Sequence, residues 1–152
     1  MQKEGNMRCF GLKLFLALLL AAGVAAAGDS RWHKRVDGMS VYLGVIPSKL
    51  IKEDEKNMHG GAKGDDSYHI LVALFDAESG ERIGDARVKA TVSSVGMRGA
   101  EKSLQPMSGE LLSYGNYFTL DRGGRYDIEV EILRKGAEKP IVVDFDFSRG
   151  EE

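Results

Sequence analysis

Tyr126-Asp127-Ile128-Glu129-Val130-Glu131-Ile132 alternates without a break between apolar and acidic residues. A period of two places Tyr126, Ile128, Val130 and Ile132 on one side of an extended chain and the three acids on the other, which is the pattern of a half-buried strand. The same period recurs on either side. Downstream, Ile141, Val143, Phe145 and Phe147 form the apolar set of Ile141–Phe147; upstream, Val88, Ala90 and Val92 oppose Arg87, Lys89 and Thr91. Tyr68 to Phe75 is apolar on both faces, as a central strand or a covered edge strand requires. Ser40 to Ile46 is a further strand, closed by Pro47, which cannot donate to a sheet ladder. Asn116 to Leu120 and a short Lys102 to Gln105 piece bring the count to about seven. Between Phe75 and Ala86, the acids and glycine of Asp76–Glu81 predict a tight turn leading into a hairpin or near-hairpin. Pro47 to Glu55 has room for one or two helical turns with Ser48 as cap. The fold class expected is all-β, an immunoglobulin-like antiparallel sandwich of about seven strands.

The amino-terminal end reads differently. Lys3, Arg8 and Lys13 precede an apolar run from Leu14 to Ala22 and a small-residue end at Ala25-Ala26-Ala27, the layout of a cleavable secretory signal. The apolar run falls short of the roughly 20 residues a spanning helix needs, so no stable membrane insertion is expected after cleavage near Ala27. The expected organisation is a signal peptide at 1–27, a flexible mature amino terminus at 28–39 and a sandwich domain at 40–148 with a polar loop at 52–67. Localisation follows as periplasmic, an exported and secreted chain.

Composition narrows the function. The 152 residues carry 21 Lys and Arg against 23 Asp and Glu, a net charge of −2. Loss of Lys3, Arg8, Lys13 and Glu4 with the leader makes the mature chain more acidic still, so phosphate-seeking and nucleic-acid partners are not expected. The single cysteine, Cys9, lies in the leader, so the mature chain has neither disulfide nor thiolate. No Gly-x-Ser-x-Gly elbow, phosphate loop, dinucleotide fingerprint or His-Glu-x-x-His pair occurs, and the carboxylates of Glu129, Glu131, Asp144 and Asp146 read as solvated strand faces. The chain is expected not to be an enzyme.

Two sets of residues remain. The first is a candidate soft-metal site. Met58-His59 lies in the polar loop, His69 opens a strand ten residues later, and Met107 follows Pro106, with Met97 in reserve. Thioether and imidazole together suit copper, since soft sulfur favours Cu(I) and nitrogen accepts either oxidation state. His33, in the lead-in segment, adds a further imidazole. The second set is a candidate partner patch of Tyr114, Tyr117 and Arg125, because aromatic and arginine side chains dominate binding hot spots. Against it stands an architectural reading, in which the glycine turns before these aromatic strands make corners and a buried tyrosine bonds back to a loop, as in the tyrosine corner.

Tyr42-Leu43-Gly44-Val45-Ile46-Pro47, Met58-His59-Gly60-Gly61, His69 to Asp76, Leu104-Gln105-Pro106-Met107 and Gly115-Asn116-Tyr117-Phe118 together resemble a group of small exported bacterial proteins. His69 to Phe147 also resembles the YtkA-like and FixH-like periplasmic sandwich domains, and more loosely the CopC-like copper-resistance domains. The resemblance implies the sandwich fold and, through its copper-associated members, a metal role for His69, Met107 and the Met58-His59 pair. The expected function is a soluble periplasmic binding protein handling a soft metal ion such as copper through a His/Met site. The alternative is a docking module for another cell-envelope protein with no metal site.

Overall fold

The computed structural model describes residues 30–51, 64–107 and 113–150. The leader, most of the polar loop and the Met58-His59 pair lie outside the described residues. Within them run eight strands: β1 His33–Val36, β2 Met39–Pro47, β3 Ser67–Asp76, β4 Arg87–Ser94, β5 Ala100–Pro106, β6 Tyr114–Thr119, β7 Gly124–Leu133 and β8 Ile141–Arg149. Every pairing is antiparallel, in the order β1-β2-β3-β6-β5-β4-β7-β8. The protein is an all-β antiparallel sandwich whose single order of strands folds over into two layers.

The alternation read from the sequence sets the core. Val88, Ala90, Val92, Tyr126, Ile128, Val130, Ile132, Val143 and Phe145 are buried. They meet Met39, Val41, Leu43, Tyr68, Ile70, Val72, Leu74 and Phe118 from the other layer in one hydrophobic cluster. β3 lies inside the order between β2 and β6; Tyr68, Ile70, Val72 and Leu74 form its core face, and Leu71, Ala73 and Phe75 on its other face are half-buried. β5 belongs to both layers. It pairs with β6 only at Gln105–Gly115 and Pro106–Tyr114, then leaves to pair with β4 over five residue pairs. Where β5 and β6 part, side chains bridge the gap: Asn116 donates to the Ser103 carbonyl at 2.8 Å and Lys102 Nζ donates to the Tyr117 carbonyl at 2.6 Å. Backbone acceptors that lose their ladder are thereby kept paired.

Three expectations change. The lead-in segment 28–39 contains β1, joined to β2 by the two-residue turn Asp37-Gly38, in which both residues have positive φ, 45° and 72°. An Asp-Gly turn of this kind matches the twist of a hairpin. The hairpin after β3 is reduced to one bridge, Phe75 with Arg82, after which the chain crosses to the other layer and β4 pairs with β5 and β7 instead. The turn itself forms as expected: Asp76 Oδ1 accepts from Ser79 N at 2.8 Å and Glu78 N at 3.1 Å, and Gly80 takes φ +72°. These bonds hold the Asp76 carboxyl below its usual 3.8, the Ser79 amide contributing most. Finally, the helix after Pro47 is one 3-10 turn, Ser48–Leu50, with Pro47 rather than Ser48 at its start.

Tyr126 forms the anticipated corner. Its hydroxyl donates to the Arg122 carbonyl at 2.9 Å and accepts from the Arg122 amide at 3.1 Å. Arg149, at the end of β8, reaches the opposite layer, 2.7 Å from Asp66 Oδ1 and hydrogen-bonded to the Leu120 carbonyl. The edge strands β1 and β8 approach each other through aromatic contacts, with the Trp32 ring 6.2 Å from Phe147 and Lys34 Nζ 6.0 Å from the Phe145 ring.

Candidate metal site on the outer face of the first layer

Residues directly opposite in an antiparallel pair share a face. The register therefore puts Ile46, His69 and Tyr117 in one row across β2, β3 and β6, on the face turned away from the core. Gly44, Leu71 and Gly115 form the next row. The His69 and Tyr117 rings stack, centroids 4.5 Å apart and planes at 18°. Each residue is only 3% exposed despite its outward face. Gly115 is what admits the imidazole: a Cβ there would lie 2.6 Å from His69 Nε2. The ring is thus oriented by an aromatic neighbour and laid over a position without a side chain. An imidazole held in one orientation is preorganised for a ligand, whereas a freely rotating one must lose rotamer entropy on binding.

The other candidate ligands are placed unequally. Met107 follows β5 and bonds to Ser113, its amide donating to the Ser113 carbonyl at 2.7 Å while Ser113 Oγ donates to Met107 Sδ at 3.4 Å. By strand parity it shares the outer face with His69. It stands beside Ser113, four positions from Tyr117 along β6, roughly 13 Å at the usual rise per residue. Met97 is 53% exposed in the β4–β5 turn, at the other end of β5 from Met107. Met58 and His59 are outside the described residues. Among the described residues no three His, Cys, Asp or Glu side chains gather as a metal site.

The tyrosines of the partner patch are interior groups. Tyr114 and Tyr117, 2% and 3% exposed, point to opposite faces of β6. The Tyr114 hydroxyl accepts from the Ala86 amide at 3.0 Å and donates to the Ile83 carbonyl at 3.4 Å; burial pushes its phenol above the usual 10. Arg125 is exposed and pairs with Asp127 at 3.6 Å. Tyr114 and Tyr117 stand three positions apart, so alternation along one strand sends them to opposite faces; what the sequence did not show is that β6 reaches back to Tyr114.

His33 is the residue the sequence undervalued. It is 9% exposed, stacks on its cross-strand partner Tyr42 at 4.4 Å, and its buried Nε2 has no hydrogen-bond partner among the described residues. The Asp37-Gly38 dipeptide, a hairpin signal, was the available clue that His33 sits on a strand.

No protein-family model matches this sequence, and no curated protein matches it. Solved structures do resemble it. A DUF4426 family protein from Pseudomonas aeruginosa aligns with TM-score 0.66 and 15% identity over 79% of this chain and 94% of that one. A copper-bound variant of FetP from uropathogenic Escherichia coli aligns with TM-score 0.61 and 14% identity, covering 77% and 93%. The copper-reconstituted P19 protein of Campylobacter jejuni aligns with TM-score 0.61 and 13% identity, covering 80% and 93%. At such identities the likeness establishes the fold alone. It adds nothing for a YtkA-like or FixH-like relationship.

Proposed function

We propose that the chain is an exported, periplasmic, non-enzymatic binding protein that handles copper on the outer face of its first layer, with His69 as the central ligand. The observation that carries this reading is the His69 imidazole itself, buried, stacked on Tyr117 and seated over Gly115. The fold supports it, being shared with copper-bound FetP and copper-reconstituted P19. The donor chemistry fits a soft ion, because the mature chain has thioethers and imidazoles but no thiol. His69 supplies nitrogen, with Met58 and His59 as its proposed partners; Met107, several positions away along the outer face, and Met97 are held in reserve. Among the described residues no helix is long and apolar enough to cross a membrane.

Competition for Cu(I) and Cu(II) against a chromophoric chelator tests the proposal. The purified protein is compared with His69→Gln and Met107→Leu, each checked for retained β-sheet circular dichroism. Loss of a ligand or its support is expected to weaken binding about 10- to 100-fold. Equal affinity in wild type and both variants overturns the metal reading and leaves the docking module, which retains Arg125 and the sheet edges as its contacts.

A further inference from the structure

Two rows along from His33, the same outer face carries a different chemistry. The register aligns Arg35 of β1 with Ser40 of β2, Ser40 with Phe75 of β3, and Phe75 with Arg82 through the isolated bridge. Four residues thus cross the sheet in one line, a guanidinium at each end. Ser40 is 6% exposed, and its short side chain leaves a depression between bulkier neighbours. The depression is an open groove of about 410 Å³ lined by Arg35, Ser40, Tyr42, Phe75, Asp76, Ala77 and Gly80. Its size falls within the range of small-molecule sites.

The walls define what fits. Tyr42 and Phe75 meet edge to face, centroids 5.6 Å apart and planes at 86°, and Tyr42 is 44% exposed, so an apolar surface is open to a ligand. Arg82 lies over the Phe75 ring at 4.7 Å, bringing positive charge to the same aromatic wall. The one carboxylate in the lining, Asp76, turns its Oδ1 to the Ser79 and Glu78 amides and the Ser79 hydroxyl. A guanidinium has five N–H donors in a fork that matches a carboxylate, so Arg35 retains donors for a ligand beside any contact it already makes.

We propose that this groove binds a small organic acid with an aromatic or otherwise apolar body, its carboxylate held by Arg35 and its body lying on Tyr42 and Phe75. The site is separate from the proposed metal ligands: Phe75 is six residues along β3 from His69, roughly 20 Å at the usual rise. It does not depend on metal binding.

Nuclear magnetic resonance titration of the purified protein with benzoate, benzyl alcohol and benzylammonium tests it. Benzoate is expected to give saturable shifts at the amides of Ser40, Tyr42, Phe75 and Gly80. Loss of a charge-assisted pair should make the alcohol about 10-fold weaker, and the cation weaker still. Arg35→Gln, at an exposed position that leaves the core intact, is expected to lower benzoate affinity to that of the alcohol, and Phe75→Leu to weaken all three probes. The proposal is overturned by an absence of saturable benzoate shifts, by shifts centred elsewhere, by the alcohol or the cation binding as well as benzoate, or by Arg35→Gln leaving benzoate affinity unchanged.

Discussion

The His69 ring occupies the space that Gly115 leaves empty, so closely that a Cβ on Gly115 would come within 2.6 Å of Nε2 and 3.0 Å of Leu71 Cδ2. Glycine is required here for room, not for backbone freedom. Gly115→Ala is therefore expected to displace the imidazole from Tyr117 and to destabilise the protein by about 1–3 kcal/mol, the usual cost of overpacking. Urea unfolding reads the stability and copper competition reads the site. A stable Gly115→Ala protein with undiminished copper affinity would show that the ring's position is irrelevant to binding.

Arg149 ties the end of β8 to the opposite layer through Asp66 and the Leu120 carbonyl. Asp66 is 45% exposed, and an ion pair open to water contributes little, whereas a charge-assisted bond from a mostly buried arginine contributes more. Arg149→Met should lower stability by about 1.5–3 kcal/mol. Asp66→Asn should cost less than half of that. Equal losses in denaturant midpoint would assign the effect to the ion pair instead.

Tyr114 and Tyr126 each spend a hydroxyl on backbone groups, in different surroundings. Tyr114→Phe leaves the Ala86 amide without its acceptor next to the core, at an expected cost of about 1–3 kcal/mol. The Arg122 groups bonded by Tyr126 lie in an exposed turn where water replaces the hydroxyl, so Tyr126→Phe should cost less, about 0.5–1.5 kcal/mol. Thermal or urea unfolding of the two variants gives the order directly.

Asp76 links stability to acidity. Its carboxyl is held below the usual 3.8 by the Ser79 and Glu78 bonds, so the folded state binds the proton less readily than the unfolded state. The stabilisation is complete above the unfolded value and is lost as pH falls through the lower, folded one. Asp76→Asn should therefore be less stable than wild type at neutral pH, with the difference shrinking below about pH 4. A difference that stays constant from pH 7 down to pH 2 would refute the assignment.

On the outer face of the second layer, Glu129 stands directly opposite Asp144, and Asp127 opposite Asp146. Like charges in such positions repel, and an opposite pair gains about 0.2–1 kcal/mol. Asp144→Lys is expected to raise the denaturant midpoint by that order, the gain fading at high salt. No gain at low salt would mean that these carboxylates are already fully screened.

Alternation along Tyr126–Ile132, Ile141–Phe147 and Arg87–Val92 was enough to identify strands, the inward set of each and the all-β class, because burying one face of a pleated chain imposes a period of two on the sequence itself. The tyrosine corner at Tyr126 and the turn at Asp76 were also legible, since both are made by residues a few positions apart. Pairing was not. That the chain crosses to the other layer after β3, that β5 belongs to both layers, and that Arg35, Ser40, Phe75 and Arg82 fall into line are facts of register between distant segments. Only the assembled sheet decides them, because alternation tells a side chain which of two faces to choose but not what will stand beside it.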